Sequence, residues 1–175
     1  MKKHVICTAG HVDHGKSTLV NALTGVDPDR WAEEKRRGLT IDLGFAKADR
    51  SDNGLVSFID VPGHERFLKN MLAGVGAVDA CLFVVDSSEG WKPQSEEHLH
   101  ILNLLGVRRG LIALTKISLV DDDLREIVTL EIKDRLEGTF LESAPIIPVD
   151  SVTGIGIDSL LKELEKMLED TPVAE

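Results

Sequence analysis

At 175 residues the chain is long enough for one domain with a full core and too short for two ordinary ones. Its 42% hydrophobic and 29% charged residues fit a globular protein, and no apolar run approaches the roughly 18 residues of a membrane span, so no membrane partner is expected. The net charge of −10 is uneven: residues 121–175 hold 5 basic and 15 acidic side chains, which excludes that third as a face for a polyanion and leaves phosphate contacts to the N-terminal part.

The opening MKKHVICTAG has a short, interrupted apolar stretch and reads as a first strand rather than a signal peptide. Strand-like apolar runs then recur at 4–9 (HVICTA), 43–48 (LGFAKA), 55–60 (LVSFID), 80–86 (ACLFVVD), 111–115 (LIALT) and 145–149 (PIIPV). Between most of them lie stretches of helical period at 16–23, 66–74, 95–105, 122–136 and 157–169. Continuous apolar strands alternating with amphipathic helices predict a mostly parallel six-stranded sheet with helices on both faces, an α/β architecture. Residues 25–42 break this rhythm, being polar and charge-rich with Pro28 and Gly38, a length of loop usually reserved for function. One domain is expected over 1–170, with 171–175 a polar tail where a linker could begin. Cys7 and Cys81 each sit inside an apolar run and are read as small buried hydrophobes of a reducing, cytoplasmic protein rather than as a disulfide.

The stretch G10-H-V-D-H-G-K-S17 matches G-x-x-x-x-G-K-[ST] between a strand and a helix, the context that gives this motif its meaning. Backbone N–H groups of Asp13, His14, Gly15 and Lys16 can wrap a β-phosphate, aided by the N-terminus of the next helix. Lys16 then neutralises β- and γ-phosphate charge, and the Ser17 hydroxyl ligates Mg²⁺. Thr18 completes this segment of the nucleotide-binding set. Asp60 ends LVSFID, where it can hold the Mg²⁺ shell or simply cap a strand end. Gly63 follows in VPGH and can turn its N–H onto a γ-phosphate. His64 comes next; it can orient an attacking water or be a solvated loop histidine. Thr40, in RRGLTID, can add a hydroxyl to Mg²⁺ once a γ-phosphate is present.

These segments together resemble translational GTPases. GHVDHGKSTLVNALTG, the run DPDRWAEEKRRGLTIDLGFA, FIDVPGHERFLKNMLAGVGAVD and PQSEEHLHILNLLGV are similar to the bacterial selenocysteine-specific elongation factor type. The resemblance runs from about residue 4 to 168 and implies a P-loop NTPase G domain that binds GTP and GDP. It implies Mg²⁺ held by Ser17, Thr40 and Asp60, and a catalytic set of His64, Lys16 and Thr40. Asp13 matches a position that in relatives assists a monovalent cation near the phosphates. Val12 and Leu39 match the apolar pair flanking the water-orienting histidine. Within a full-length factor of this type the implied partners are selenocysteinyl-tRNA, the ribosome and an mRNA hairpin, with slow hydrolysis until the ribosome activates it.

Three places depart from the family pattern. TKIS at 115–118 stands where relatives have Asn/Thr-Lys-x-Asp: Thr115 and Lys116 match, and Ser118 replaces the aspartate that reads guanine. In P148-V-D-S-V-T-G154, Asp150 stands where the later motif has serine and Ser151 where it has alanine. In relatives that serine bonds the missing aspartate, so the polar pair is expected to survive with its members exchanged. The backbone N–H groups near Ser151 and Val152 are expected to face the 6-position of the base. The third departure, V84-V-D-S-S-E-G90, suggests no function beyond a strand-end cap. The main expectation is thus a GTPase; the alternative is a P-loop binding module with relaxed or switched base specificity. A small-molecule kinase is disfavoured by the VPGH segment and the long insertion.

Overall fold

The computed structural model describes residues 3–11, 15–24, 46–50, 54–60 and 78–170. In these segments six strands form one sheet: β1 (Lys3–Gly10), β2 (Ala46–Arg50), β3 (Gly54–Asp60), β4 (Ala80–Asp86), β5 (Gly110–Thr115) and β6 (Ile146–Pro148). Their order is β2-β3-β1-β4-β5-β6. β1 runs parallel to β3 and β4, β4 to β5, and β5 to β6; only β2, at the edge, is antiparallel to β3. The helices are α1 (Lys16–Thr24), α2 (Pro93–Leu104), α3 (Asp122–Leu136) and α4 (Ile157–Asp170).

Side chains alternate across each strand and so divide the core in two. On one face Cys7, Ala9, Phe83, Val85, Ile112 and Leu114 pack with Leu99, Ile101 and Leu102 of α2 and Val128, Ile132 and Leu136 of α3. On the other, Ile6, Phe58, Leu82, Val84 and Leu111 pack with Leu19, Val20 and Leu23 of α1 and Leu160, Leu164 and Leu168 of α4. Steps of three or four residues give each helix one apolar stripe, and burying each such side chain contributes about 1.5–3 kcal/mol. Helices therefore cover both faces, as the continuous apolar strands require.

Local chemistry sets the helix ends. Asp121 accepts from Leu124 N at 2.8 Å, capping α3, whose acidic first turn and basic last turn match the helix dipole. The periodic pattern places the start of α2 at Ser95, but the helix begins two residues earlier, because Pro93 occupies its first turn and buried Ser95 Oγ accepts Lys92 N at 3.2 Å. Likewise the edge strand runs through Arg50, two residues past the expected end at 48, and its described residues pair with Gly54–Phe58; residues 43–45 and the helix expected at 66–74 lie outside the described residues. Cys7 and Cys81 are opposite each other in the β1–β4 register, both buried and both thiols. Burial pushes the Cys81 thiol far above its ordinary range, so it stays protonated and inert.

Candidate nucleotide-binding site

The loops leaving β1, β4, β5 and β6 all emerge at the carboxyl edge of the sheet, as the paired strand ends Gly10↔Val84, Asp86↔Thr115 and Leu114↔Pro148 require. The chain goes from β1 to one side and then to the other, and ligands of open α/β sheets bind at such switch points.

At the end of β1, Gly10 has φ of 130°, and a Cβ there would stand 2.1 Å from the Val84 carbonyl oxygen, so only glycine lets the loop leave between β3 and β4. Its N–H donates to Nδ1 of buried His98 on α2 at 2.9 Å. Gly15, with φ of 88°, offers its carbonyl to Leu19 N at 2.9 Å and opens α1. Lys16 and Ser17 follow in the first turn of that helix. Val12, Asp13, His14, Thr40, Gly63 and His64 lie outside the described residues. The β1–β3 register sets Asp60 opposite Thr8, at the same edge as the phosphate loop. Serine and aspartate, the residue types at positions 17 and 60, are hard oxygen donors of the kind that suits a cation such as Mg²⁺.

The TKIS segment after β5 is tied down from both sides. The Thr115 carbonyl accepts from Ser87 N at 3.0 Å and Ser87 Oγ at 2.7 Å, and its own hydroxyl reaches Val85 O at 3.3 Å. Ile117 N donates to Val149 O at 3.4 Å. Lys116 between them is left-handed, with φ of 59° and ψ of 33°, the only such non-glycine among the described residues. That conformation costs about 1–2 kcal/mol and needs partners to hold it. Asp86 supplies one, its Oδ2 lying 2.8 Å from Lys116 Nζ. Burial opposes ionisation of Asp86, yet Lys116 and Ser88 together hold its carboxyl below the ordinary range.

The exchanged pair is in contact. Asp150 is buried; Oδ2 accepts from Ser118 N at 3.4 Å, while Oδ1 accepts from Val152 N and Thr153 N, both at 3.0 Å. The Ser118 hydroxyl and these backbone N–H groups lower the Asp150 pKa against the opposing effect of burial. The expectation for Val152 is therefore corrected: its N–H folds back onto Asp150, because an aspartate at this position is long enough to close the turn on itself.

The start of α1 and the loops after β5 and β6 meet around one cavity of about 350 Å³. Gly15 and Thr18 line it from the phosphate side; Thr115, Lys116, Ser118 and Leu119 from the β5 loop; Asp150, Ser151, Val152 and Thr153 from the β6 loop. Leu119 and Val152, 70% and 89% exposed, keep apolar surface open beside it, as a flat aromatic ligand requires. Eight of these ten residues are legible from the three motifs; Leu119 lies one position past TKIS, and Thr153, although inside P148-V-D-S-V-T-G154, matches no position with a reading of its own. Asp86 carries a signal in its departure from the family pattern, whereas His98 carries none.

Among the described residues no helix is long and apolar enough to cross a membrane, and no cluster of three or more histidine, cysteine or acidic side chains could hold a metal ion.

Residues 2–170 match the model of the elongation factor Tu GTP binding domain. The chain is 51% identical over 156 residues to the selenocysteine-specific elongation factor of Desulfomicrobium baculatum, covering 89% of this chain and 25% of that protein. The crystal structure of a bacterial selenocysteine-specific elongation factor superposes with a TM-score of 0.80 at 46% identity, over 97% of this chain and 29% of the other. Elongation factor SelB of Methanococcus maripaludis, solved in complex with the GTP analogue GppNHp, gives a TM-score of 0.78 at 28% identity, over 99% and 35%. The chain thus spans about a quarter to a third of the length of these relatives.

Proposed function

The chain belongs to the elongation factor Tu GTP-binding domain family, and from that membership we propose that it is the nucleotide-binding and GTP-hydrolysing domain of a factor of the selenocysteine-specific type. The observation that carries the reading is the single cavity joining Gly15 and Thr18 of the phosphate loop to Thr115, Lys116 and Asp150–Val152. A nucleotide whose phosphates lie on α1 has its base within that cavity.

In this mechanism backbone N–H groups from Asp13 to Lys16 hold the phosphates and Lys16 balances their charge. Ser17, Thr40 and Asp60 would hold Mg²⁺, which when bound neutralises charge on the phosphate oxygens. Asp13 would support a monovalent cation beside them. Gly63 senses the γ-phosphate, and His64, flanked by Val12 and Leu39, orients water for in-line attack; a group that acts there raises turnover more than affinity. Selenocysteinyl-tRNA, the ribosome and an mRNA hairpin are the proposed partners of the longer factor in the cytoplasm.

Base selection is the part where this chain differs. Asp150 directs its carboxylate to Ser118 and to its own turn, which favours a pocket that tolerates bases other than guanine. Titrating labelled GDP, IDP, XDP, ADP and CDP in Mg²⁺ tests both levels. GDP is expected to bind better than ADP, and its preference over IDP to be about tenfold or less. Lys16→Ala should abolish binding of every triphosphate at micromolar concentration, because the phosphates lose their direct cation. A best affinity for ADP or CDP overturns the 6-oxopurine assignment, and unchanged binding by Lys16→Ala overturns the phosphate loop.

A further inference from the structure

The run V84-V-D-S-S-E-G90 has no part in the function above, yet the fold carries it to the base end of the site. Asp86 closes β4 and is 1% exposed. Ser88 orients its carboxylate, with the Ser88 N–H and hydroxyl reaching Oδ1 at 2.7 and 2.6 Å. This leaves Oδ2 directed at Lys116 Nζ, 2.8 Å away. Lys116 Cε in turn lies 4.0 Å from where a Cβ on Gly15 would stand, and both residues line the cavity.

We propose that Asp86 is a positioning residue for the nucleobase, anchoring the Lys116 ammonium so that the lysine stem stands ready against Gly15 as one wall of the base cavity. The inference rests on the nucleotide reading above. An unanchored lysine samples many rotamers and must be ordered when the base arrives, which weakens binding; an anchored one is ordered beforehand. The anchor also holds the left-handed Lys116 backbone, so it shapes the loop that carries Ser118. The rival role is a strand-end cap, in which Asp86 serves only Ser88. Asparagine separates the two, since its amide oxygen can still accept from Ser88 while its NH₂ cannot accept from an ammonium.

The test measures affinity of the full chain for GDP and, separately, for inorganic pyrophosphate, which uses the phosphate loop alone. Asp86→Asn should weaken GDP about tenfold, the scale of one charge-assisted contact, and leave pyrophosphate within about twofold. In a Lys116→Met background, where no ammonium remains to anchor, the same change should have less than about a twofold effect on GDP. Ser88→Ala, at an exposed position, loosens the same carboxylate without opening the core and should weaken GDP by about two- to threefold. Unchanged GDP affinity in Asp86→Asn overturns the proposal. So do equal losses for GDP and pyrophosphate, or an undiminished effect beside Lys116→Met. If Asp86→Asn does not fold, Ser88→Ala decides, and unchanged GDP affinity in that variant overturns it. Failure of the unaltered chain to bind GDP while still binding pyrophosphate would instead overturn the base-cavity reading itself.

Discussion

Ser118 and Asp150 hold each other through the Ser118 N–H and hydroxyl, and the remaining Asp150 oxygen is taken by Val152 and Thr153. In relatives an aspartate at position 118 faces the base and reads N1–H and the 2-amino group. Each such charge-assisted bond contributes about 1.5–3 kcal/mol, so losing the carboxylate should weaken guanine by roughly 2–4 kcal/mol, or about 30- to 1000-fold. The preference for GDP over IDP should accordingly fall to about tenfold or less, because hypoxanthine lacks only the 2-amino group. The double change Ser118→Asp with Asp150→Ser should restore tight, guanine-selective binding. Ser118→Asp alone should do less, since two carboxylates would then face each other across the present contact. Calorimetry with GDP and IDP on the three proteins checks this. If the unaltered chain already binds GDP as tightly as the double variant, Asp150 reads the base after all.

Between elements, a hydrogen bond links α2 to the start of the phosphate loop. Gly10 N–H donates to His98 Nδ1 at 2.9 Å, and both residues are buried. An imidazole that accepts at Nδ1 carries its proton on Nε2 and is neutral. His98→Leu should leave the Gly10 N–H buried without an acceptor, a loss of about 1–3 kcal/mol in stability with weaker pyrophosphate binding beside it. His98→Asn, whose amide oxygen can accept, should recover part of both. Urea denaturation and pyrophosphate titration measure the two effects. Unchanged stability and binding in the leucine variant would show that the phosphate loop holds its shape without α2.

For the whole molecule, two carboxyls couple folding to pH. Asp86 and Asp150 are both held below their ordinary value of 3.8 when folded. The unfolded chain therefore binds protons first as pH falls, so their stabilisation is complete above that value and is lost as pH drops through the lower folded values. Opposing this at neutral pH is self-repulsion from a net charge of −10, which eases on mild acidification and in salt. Thermal melts should therefore show greatest stability in mildly acidic buffer, a rise with added salt at pH 7, and a steep fall below about pH 4. Asp150→Asn should flatten the acid limb. A fall of the same steepness in that variant would assign the acid sensitivity to other groups.

The sequence by itself determined what depends on near neighbours. A strand buried on both faces must be apolar at every position, and a helix on a sheet must repeat every three or four residues; ACLFVVD and the leucines of α4 could be read on those grounds alone. The phosphate loop was equally legible, because backbone N–H groups that surround a phosphate come from consecutive residues. The tertiary structure decided what depends on strand order and loop path. It set Gly15 beside Lys116, paired Asp86 with that lysine, joined His98 to Gly10 and brought Leu119 and Thr153 into the cavity. It also turned Val152 N–H from the base to Asp150. Partners tens of residues apart leave no periodicity in the chain, since a hydrogen bond between two loops constrains their meeting point and not the residues between.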